Sequence, residues 1–161
     1  ISMEIVGDAP YIVSEAHNLY EEFGEVATIK VPCTPQGLLA CSELTKENIR
    51  VNVTLIFCAA QALLAAKAGA TYVSPFVGRL DDNSVSGLEV VRSIAELYGR
   101  HRIETQVLAA SVRTVHRVVR SFYNGADIVT MPPDVFSKMY DHVLTREGLA
   151  IFDKDWAEFH G

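Results

Sequence analysis

The sequence predicts an α/β fold, a parallel (β/α)8 TIM barrel of which about six βα units are present. Three observations lead there. Apolar runs rich in β-branched residues recur at Ser2 to Val6, Val26 to Val31, Arg50 to Leu55, Thr71 to Ser74, Thr105 to Ala110 and Asp127 to Met131. Their starts lie mostly about twenty to twenty-five residues apart, the rhythm of βα units feeding a parallel sheet. Polar side chains also keep to one parity of the early strands: Ser2 and Glu4 against Met3 and Ile5, Thr28 and Lys30 against Ile29 and Val31, Asn52 and Thr54 against Val53 and Leu55. An open parallel sheet is covered by helices on both faces and should be apolar on both. A barrel interior accepts polar groups near the C-terminal ends of its strands, where active sites lie.

Taken in order, each run is followed by a helical pattern. Tyr11 to Phe23 follows the first, Pro35 to Glu43 the second and Cys58 to Ala68 the third. Ser86 to Tyr98, Arg113 to Asn124 and Pro133 to His142 follow the others. Gly69 and Gly125 sit just past two of these helices, where a left-handed C-cap favours glycine. No linker or low-complexity stretch divides the chain, so residues 1–161 are expected to form a single partial barrel domain. A complete barrel has eight units and typically about 250 residues, so two units are expected to be missing, with Ile1 starting inside the first visible one. Near the C-terminus, Phe152, Trp156 and Phe159 fall at i, i+4 and i+7. A helix there carries one aromatic stripe, which either closes its own barrel or meets a partner.

The 161 residues are 49% hydrophobic and carry a net charge of −6. That apolar content excludes intrinsic disorder, and the acidic balance with scattered basic residues argues against nucleic-acid binding. The most apolar segment, Val51 to Ala66, is interrupted by Asn52 and Gln61, so no membrane span is expected. Cys33, Cys41 and Cys58 form no Cys-x-x-Cys pair and the five histidines are dispersed, so a metal site is not expected. The odd cysteine count and the lack of a secretory leader point to a reduced, cytoplasmic setting.

Lys30 stands among apolar neighbours in what should be a central strand. Burial disfavours the ammonium form, so such a lysine can attack a carbonyl and form an imine. The alternative is an edge-strand lysine that discourages aggregation. Glu4 is either a carboxylate paired with a cation or a proton carrier with a raised pKa, and Thr54 could complete a water site beside it. Ser111, expected where a strand ends and the helix at Arg113 begins, could bind an anion together with Arg79 and Arg113. Otherwise it is an ordinary helix cap with solvated arginines. A position after a late strand favours the phosphate site.

Ile29-Lys30-Val31-Pro32, Asn52-Val53-Thr54-Leu55-Ile56-Phe57, Ala59-Ala60-Gln61-Ala62 and Ser74-Pro75-Phe76-Val77-Gly78-Arg79-Leu80-Asp81-Asp82 resemble the small class I transaldolases and their close relatives, the fructose-6-phosphate aldolases. Leu108-Ala109-Ala110-Ser111 and Gly125-Ala126-Asp127 extend the resemblance over nearly the whole chain. It implies that the visible units are strands 3 to 8 of the barrel. It also implies Lys30 as Schiff-base lysine, Glu4 and Thr54 around a catalytic water, and Phe76, Arg79, Ser111 and Arg113 around the sugar phosphate, with no metal or organic cofactor. The activity implied is transfer of a dihydroxyacetone unit from a ketose phosphate to an aldose phosphate, in the pentose phosphate pathway. Glu4 and Phe76, where the aldolase branch carries glutamine and tyrosine, favour transfer over release of free dihydroxyacetone. The family's Asp-Thr-Ala segment, which carries an acid/base aspartate, and its Thr-Thr-Asn-Pro segment do not occur in these residues. The chain therefore reads as a fragment, and a third reading is an inactive partial barrel that only binds sugar phosphate or assembles. The resemblance further implies a homo-oligomer, pentameric or decameric, with C-terminal helices reaching neighbours.

Overall fold

Six strands alternate with helices in the computed structural model, which describes residues 1–160. The strands are β1 (Ser2–Glu4), β2 (Thr28–Pro32), β3 (Val51–Ile56), β4 (Tyr72–Pro75), β5 (Gln106–Ala109) and β6 (Ile128–Val129). Each pairs in parallel with the next, giving one sheet in chain order with β1 and β6 at its edges. The sheet curls into a partial TIM barrel. The helices are α1 (Ala9–Phe23), α2 (Pro35–Leu44), α3 (Ala59–Lys67), α4 (Val77–Asp82), α5 (Gly87–His101), α6 (Val115–Tyr123), α7 (Pro133–Lys138) and α8 (Val143–His160).

The alternation in the sequence becomes two different faces. Ile29, Val31, Val51, Val53, Val73 and Val107 are buried with Ile12, Leu44 and Ile94 in one core between strands and helices. Each such side chain stabilises the fold by about 1.5–3 kcal/mol relative to exposure. The opposite parity holds Thr28, Lys30, Asn52, Thr54 and Ser74, so the polar face is the concave one. Helix starts follow local chemistry. Asp8 Oδ1 accepts from the Tyr11 amide at 3.0 Å and Thr34 Oγ1 from the Gly37 amide at 3.1 Å, with a proline in each first turn. Gly69 and Gly125 adopt φ of +88° and +91°, as expected of helix-ending turns. The Ala70 amide donates to Ala65 O and the Ala126 amide to Ser121 O, both at 3.1 Å, closing those helices.

Three expectations need correction. Helix α4 was not foreseen: it is six residues long and contains Gly78, too short to show a periodic stripe. Helix α6 starts at Val115 rather than Arg113, because Thr114 Oγ1 caps it by accepting from the Arg117 amide at 3.2 Å. The last helical pattern breaks after Lys138, and α8 then runs from Val143 to His160 with no buried residue. Its aromatic stripe does not close its own barrel, since Phe152, Trp156 and Phe159 are 69%, 68% and 84% exposed.

One strand is irregular. The β3–β4 register shifts between Val53 and Ile56, and Leu55 adopts φ of +58°, a left-handed conformation unusual for a bulky residue. Thr54 and Ile56, on either side of Leu55, are both fully buried. No helix among the described residues is long and apolar enough to cross a membrane.

Candidate active site

Strands β1, β2 and β3 carry a row of polar side chains. Glu4 lies opposite Lys30, and Lys30 opposite Asn52, so the three stand in line across the concave face. Strand β2 lies between β1 and β3, which removes the edge-strand reading of Lys30. Its ammonium donates to Glu4 Oε2 at 2.9 Å, the paired-carboxylate arrangement expected of Glu4. The side chains of Lys30 and Glu4 are 24% and 43% exposed. The deep burial expected of both is thus not found, because the sheet is an open arc.

Thr54 stands one step along β3, level with Pro32. Its Oγ1 is buried without a hydrogen-bond partner. Leaving such a group unsatisfied costs about 1–3 kcal/mol. Sequence reasoning passed over two further residues here. Ser74 Oγ donates to Asn52 Oδ1 at 2.7 Å in a fully buried contact, and Asn52 Nδ2 reaches Ser2 Oγ at 3.5 Å. Their shared parity with Lys30 was the available signal.

A second cluster lies where β4 and β5 end. Phe76 bridges to Ala110 beyond the named strands, and the Arg79 guanidinium lies 4.8 Å above the Phe76 ring centre. Phe57 meets the same ring edge-on at 5.9 Å. The Val77 amide donates to Ala110 O at 2.9 Å and the Gly78 amide to Ser111 O at 3.1 Å, fastening α4 to the exit of β5. Gly78 is required by that contact, since a Cβ there would stand 2.1 Å from Ser111 O. Ser111 has φ of +59° and does not cap α6, a role that Thr114 takes, so the helix-terminus argument for anion binding at Ser111 does not hold. Arg113 Nη1 donates to Asp82 Oδ1 at 2.7 Å, and Arg117 pairs with Asp81 at 3.2 Å. Arg113 is therefore not a solvated cation without a partner.

The seven expected site residues thus fall in two groups: Glu4, Lys30 and Thr54 within β1, β2 and β3 on the concave face, and Phe76, Arg79, Ser111 and Arg113 just beyond the C-terminal ends of β4 and β5. A cleft of about 470 Å³ lined by Lys67, Thr71 and Glu104 lies at the opposite end of β4 and β5. In barrels that end carries stability rather than chemistry. Among the described residues, no group of three His, Cys, Asp or Glu is placed to hold a metal ion. The cysteines are free. Burial pushes the Cys41 thiol up to about 12, and burial followed by proximity to Cys58 raises Cys33.

Residues 1–160 match the sequence profile of the family described as transaldolase/fructose-6-phosphate aldolase. The chain belongs to this family. It is 48% identical over 157 residues to a "Probable transaldolase" of Dinoroseobacter shibae, an alignment covering 97% of this chain and 72% of the relative. Proteins of the same name in Caulobacter vibrioides and Geobacillus thermodenitrificans are 48% and 46% identical, with 72% and 73% of their length covered. Solved structures carry the fold resemblance much further afield. Trypanosoma brucei GMP reductase superposes with a TM-score of 0.64 at 17% identity, over 83% of this transaldolase-family chain and 30% of that one. A mandelate oxidase superposes at 0.62 and 16% identity, over 81% and 46%. The chain spans less than half of either solved protein, and these matches speak to the barrel alone.

Proposed function

We propose that this transaldolase-family chain acts in the transfer of a dihydroxyacetone unit from a ketose phosphate, such as sedoheptulose 7-phosphate or fructose 6-phosphate, to an aldose phosphate in the pentose phosphate pathway. The observation that carries the reading is the Lys30–Glu4 pair at 2.9 Å in line with Asn52 on the concave face. Lys30 gives up a proton, with Glu4 as the nearest acceptor, and the free amine adds to the C2 carbonyl. The carbinolamine loses water as Glu4 and Thr54 Oγ1 relay protons, leaving a protonated imine. When the C3–C4 bond breaks, its electrons pass into that imine as an enamine and the C4 hydroxyl loses its proton. In the family an aspartate of the Asp-Thr-Ala segment takes this proton. That segment is not among these residues, so imine formation is proposed for the chain itself and cleavage for the chain together with such a group. The enamine then attacks the aldehyde of the acceptor, whose oxygen takes up a proton, and water hydrolyses the resulting imine to free the new ketose phosphate and Lys30. The protonated imine is the electron sink, so the proposed route uses no metal or organic cofactor.

Phe76, Arg79, Ser111 and Arg113 take the sugar phosphate in this reading, supported by two guanidiniums and a hydroxyl where β4 and β5 end. We further read residues 1–161 as a single partial-barrel domain of a cytoplasmic homo-oligomer, supported by the exposed aromatic stripe on α8. A second reading, an aldolase releasing free dihydroxyacetone, shares Lys30, and Glu4 and Phe76 weigh against it. The test is incubation with fructose 6-phosphate, reduction with borohydride and mapping of the adduct by mass spectrometry. The label is expected on Lys30. A label on another lysine, or none, overturns the proposal.

A further inference from the structure

We propose that Asp82 is a positioning residue for phosphate, holding the Arg113 guanidinium across Gly78 and beside Ser111. The inference rests on the phosphate reading above and goes beyond it by assigning an acidic residue to an anion site. Arg113 lies in the segment between β5 and α6, outside any helix or strand. A free arginine carries about 2 kcal/mol of rotamer entropy, which is lost when it binds a ligand. The 2.7 Å contact from Arg113 Nη1 to Asp82 Oδ1 restricts it beforehand. A Cβ placed on Gly78 would stand 3.1 Å from both Arg113 Nε and Ser111 Oγ, so guanidinium and hydroxyl flank the same glycine. One of the five guanidinium N–H groups faces Asp82, and four remain to meet phosphate oxygens.

The tandem aspartates divide their work. Asp81 is the more buried: it pairs with Arg117 at 3.2 Å and its Oδ1 accepts from the Gly87 amide at 3.1 Å, tying α4 to the starts of α5 and α6. Asp82 and Arg113 are 51% and 54% exposed. An exposed pair adds little to folding, so its effect is on where the guanidinium points. If Asp82 instead competed with phosphate for the Arg113 charge, its removal would tighten phosphate binding. The two roles differ in sign.

The experiment titrates inorganic phosphate by calorimetry into the chain and its Asp82→Asn, Asp82→Glu, Arg113→Ala and Asp82→Asn/Arg113→Ala variants. Asp82→Asn is expected to weaken phosphate about three- to fivefold, the scale of an exposed ion pair, with partial recovery in Asp82→Glu. No further loss is expected when Arg113 is already alanine, a coupling that a purely structural role would not produce. Tighter binding in Asp82→Asn, an equal loss with Arg113 absent, unchanged binding, or no phosphate binding by the parent chain overturns the inference. Borohydride trapping of unphosphorylated dihydroxyacetone on Lys30 is read in parallel. A failed adduct overturns the Schiff-base reading alone.

Discussion

Lys30 Nζ and Glu4 Oε2 stand 2.9 Å apart on neighbouring, in-register strands. An ammonium so held becomes a nucleophile only by passing on its proton, and the carboxylate is within direct reach. Glu4→Gln removes that acceptor, and the rate of borohydride-trappable imine formation should fall by at most about 10²-fold, the low end of general acid–base catalysis, since the aldolase branch forms its imine with glutamine at this position. With Phe76→Tyr added, dihydroxyacetone release should rise relative to transfer in any preparation that turns over. An unchanged partition ratio would remove Glu4 and Phe76 as determinants.

Arg79→Ala should weaken phosphorylated ligands by about 1.5 kcal/mol, the low end for a hydrogen bond to a charged group because the arginine is exposed. Unphosphorylated dihydroxyacetone should hardly respond. Calorimetry with both ligand types separates this from general damage, which would weaken them alike.

Alkaline stability should depend on Cys41. Its thiol ordinarily ionises near 9.0 and burial pushes it up to about 12 in the fold. Between those values the unfolded chain has released a proton that the folded chain retains, so stability falls as pH rises, by up to about 1.4 kcal/mol per pH unit for one group. Tyr98, raised first by burial and then by Cys33, adds to the decline above its ordinary 10.0. Urea unfolding from pH 7 to 10.5 should show a shallower fall for Cys41→Ala than for the parent. Parallel curves would contradict this.

Much of the fold was legible because its causes are local. The alternation of Thr28, Ile29, Lys30 and Val31 assigns a concave and a helix-facing side to β2 within one strand. Gly69 and Gly125 end their helices as their residue type demands. Other features depend on contacts distant in sequence. That Asp82 faces Arg113 and that Ser74 bonds Asn52 depends on how neighbouring strands exit the sheet, which no spacing rule gives. Ser111 was expected at the start of a helix beginning at Arg113, but Thr114, three residues on, supplies the oxygen that caps α6.

The stripe on α8 sets the fourth expectation. The eighteen residues of α8 bury no side chain against their own sheet, whereas most helical stability in proteins comes from packing an apolar face. A self-associated form should therefore depend on Trp156. Light scattering is expected to show an oligomer that shifts to smaller species in Trp156→Ala. A monomer at micromolar concentration, unaffected by the change, would refute the assignment.

Leu55 carries a cost that falls beside the chemistry. A non-glycine residue held at φ of +58° stores on the order of 1–3 kcal/mol, and it directly follows Thr54, whose hydroxyl is the unsatisfied group of the concave face. Backbone strain thus sits one peptide bond from the hydroxyl proposed to relay protons. A β-branched side chain at this position would deepen the strain, and glycine would release it while loosening the strand that aims Thr54. Robustness and precision therefore pull in opposite directions at Leu55, where a substitution that relieved the strain would also loosen the backbone that carries Thr54.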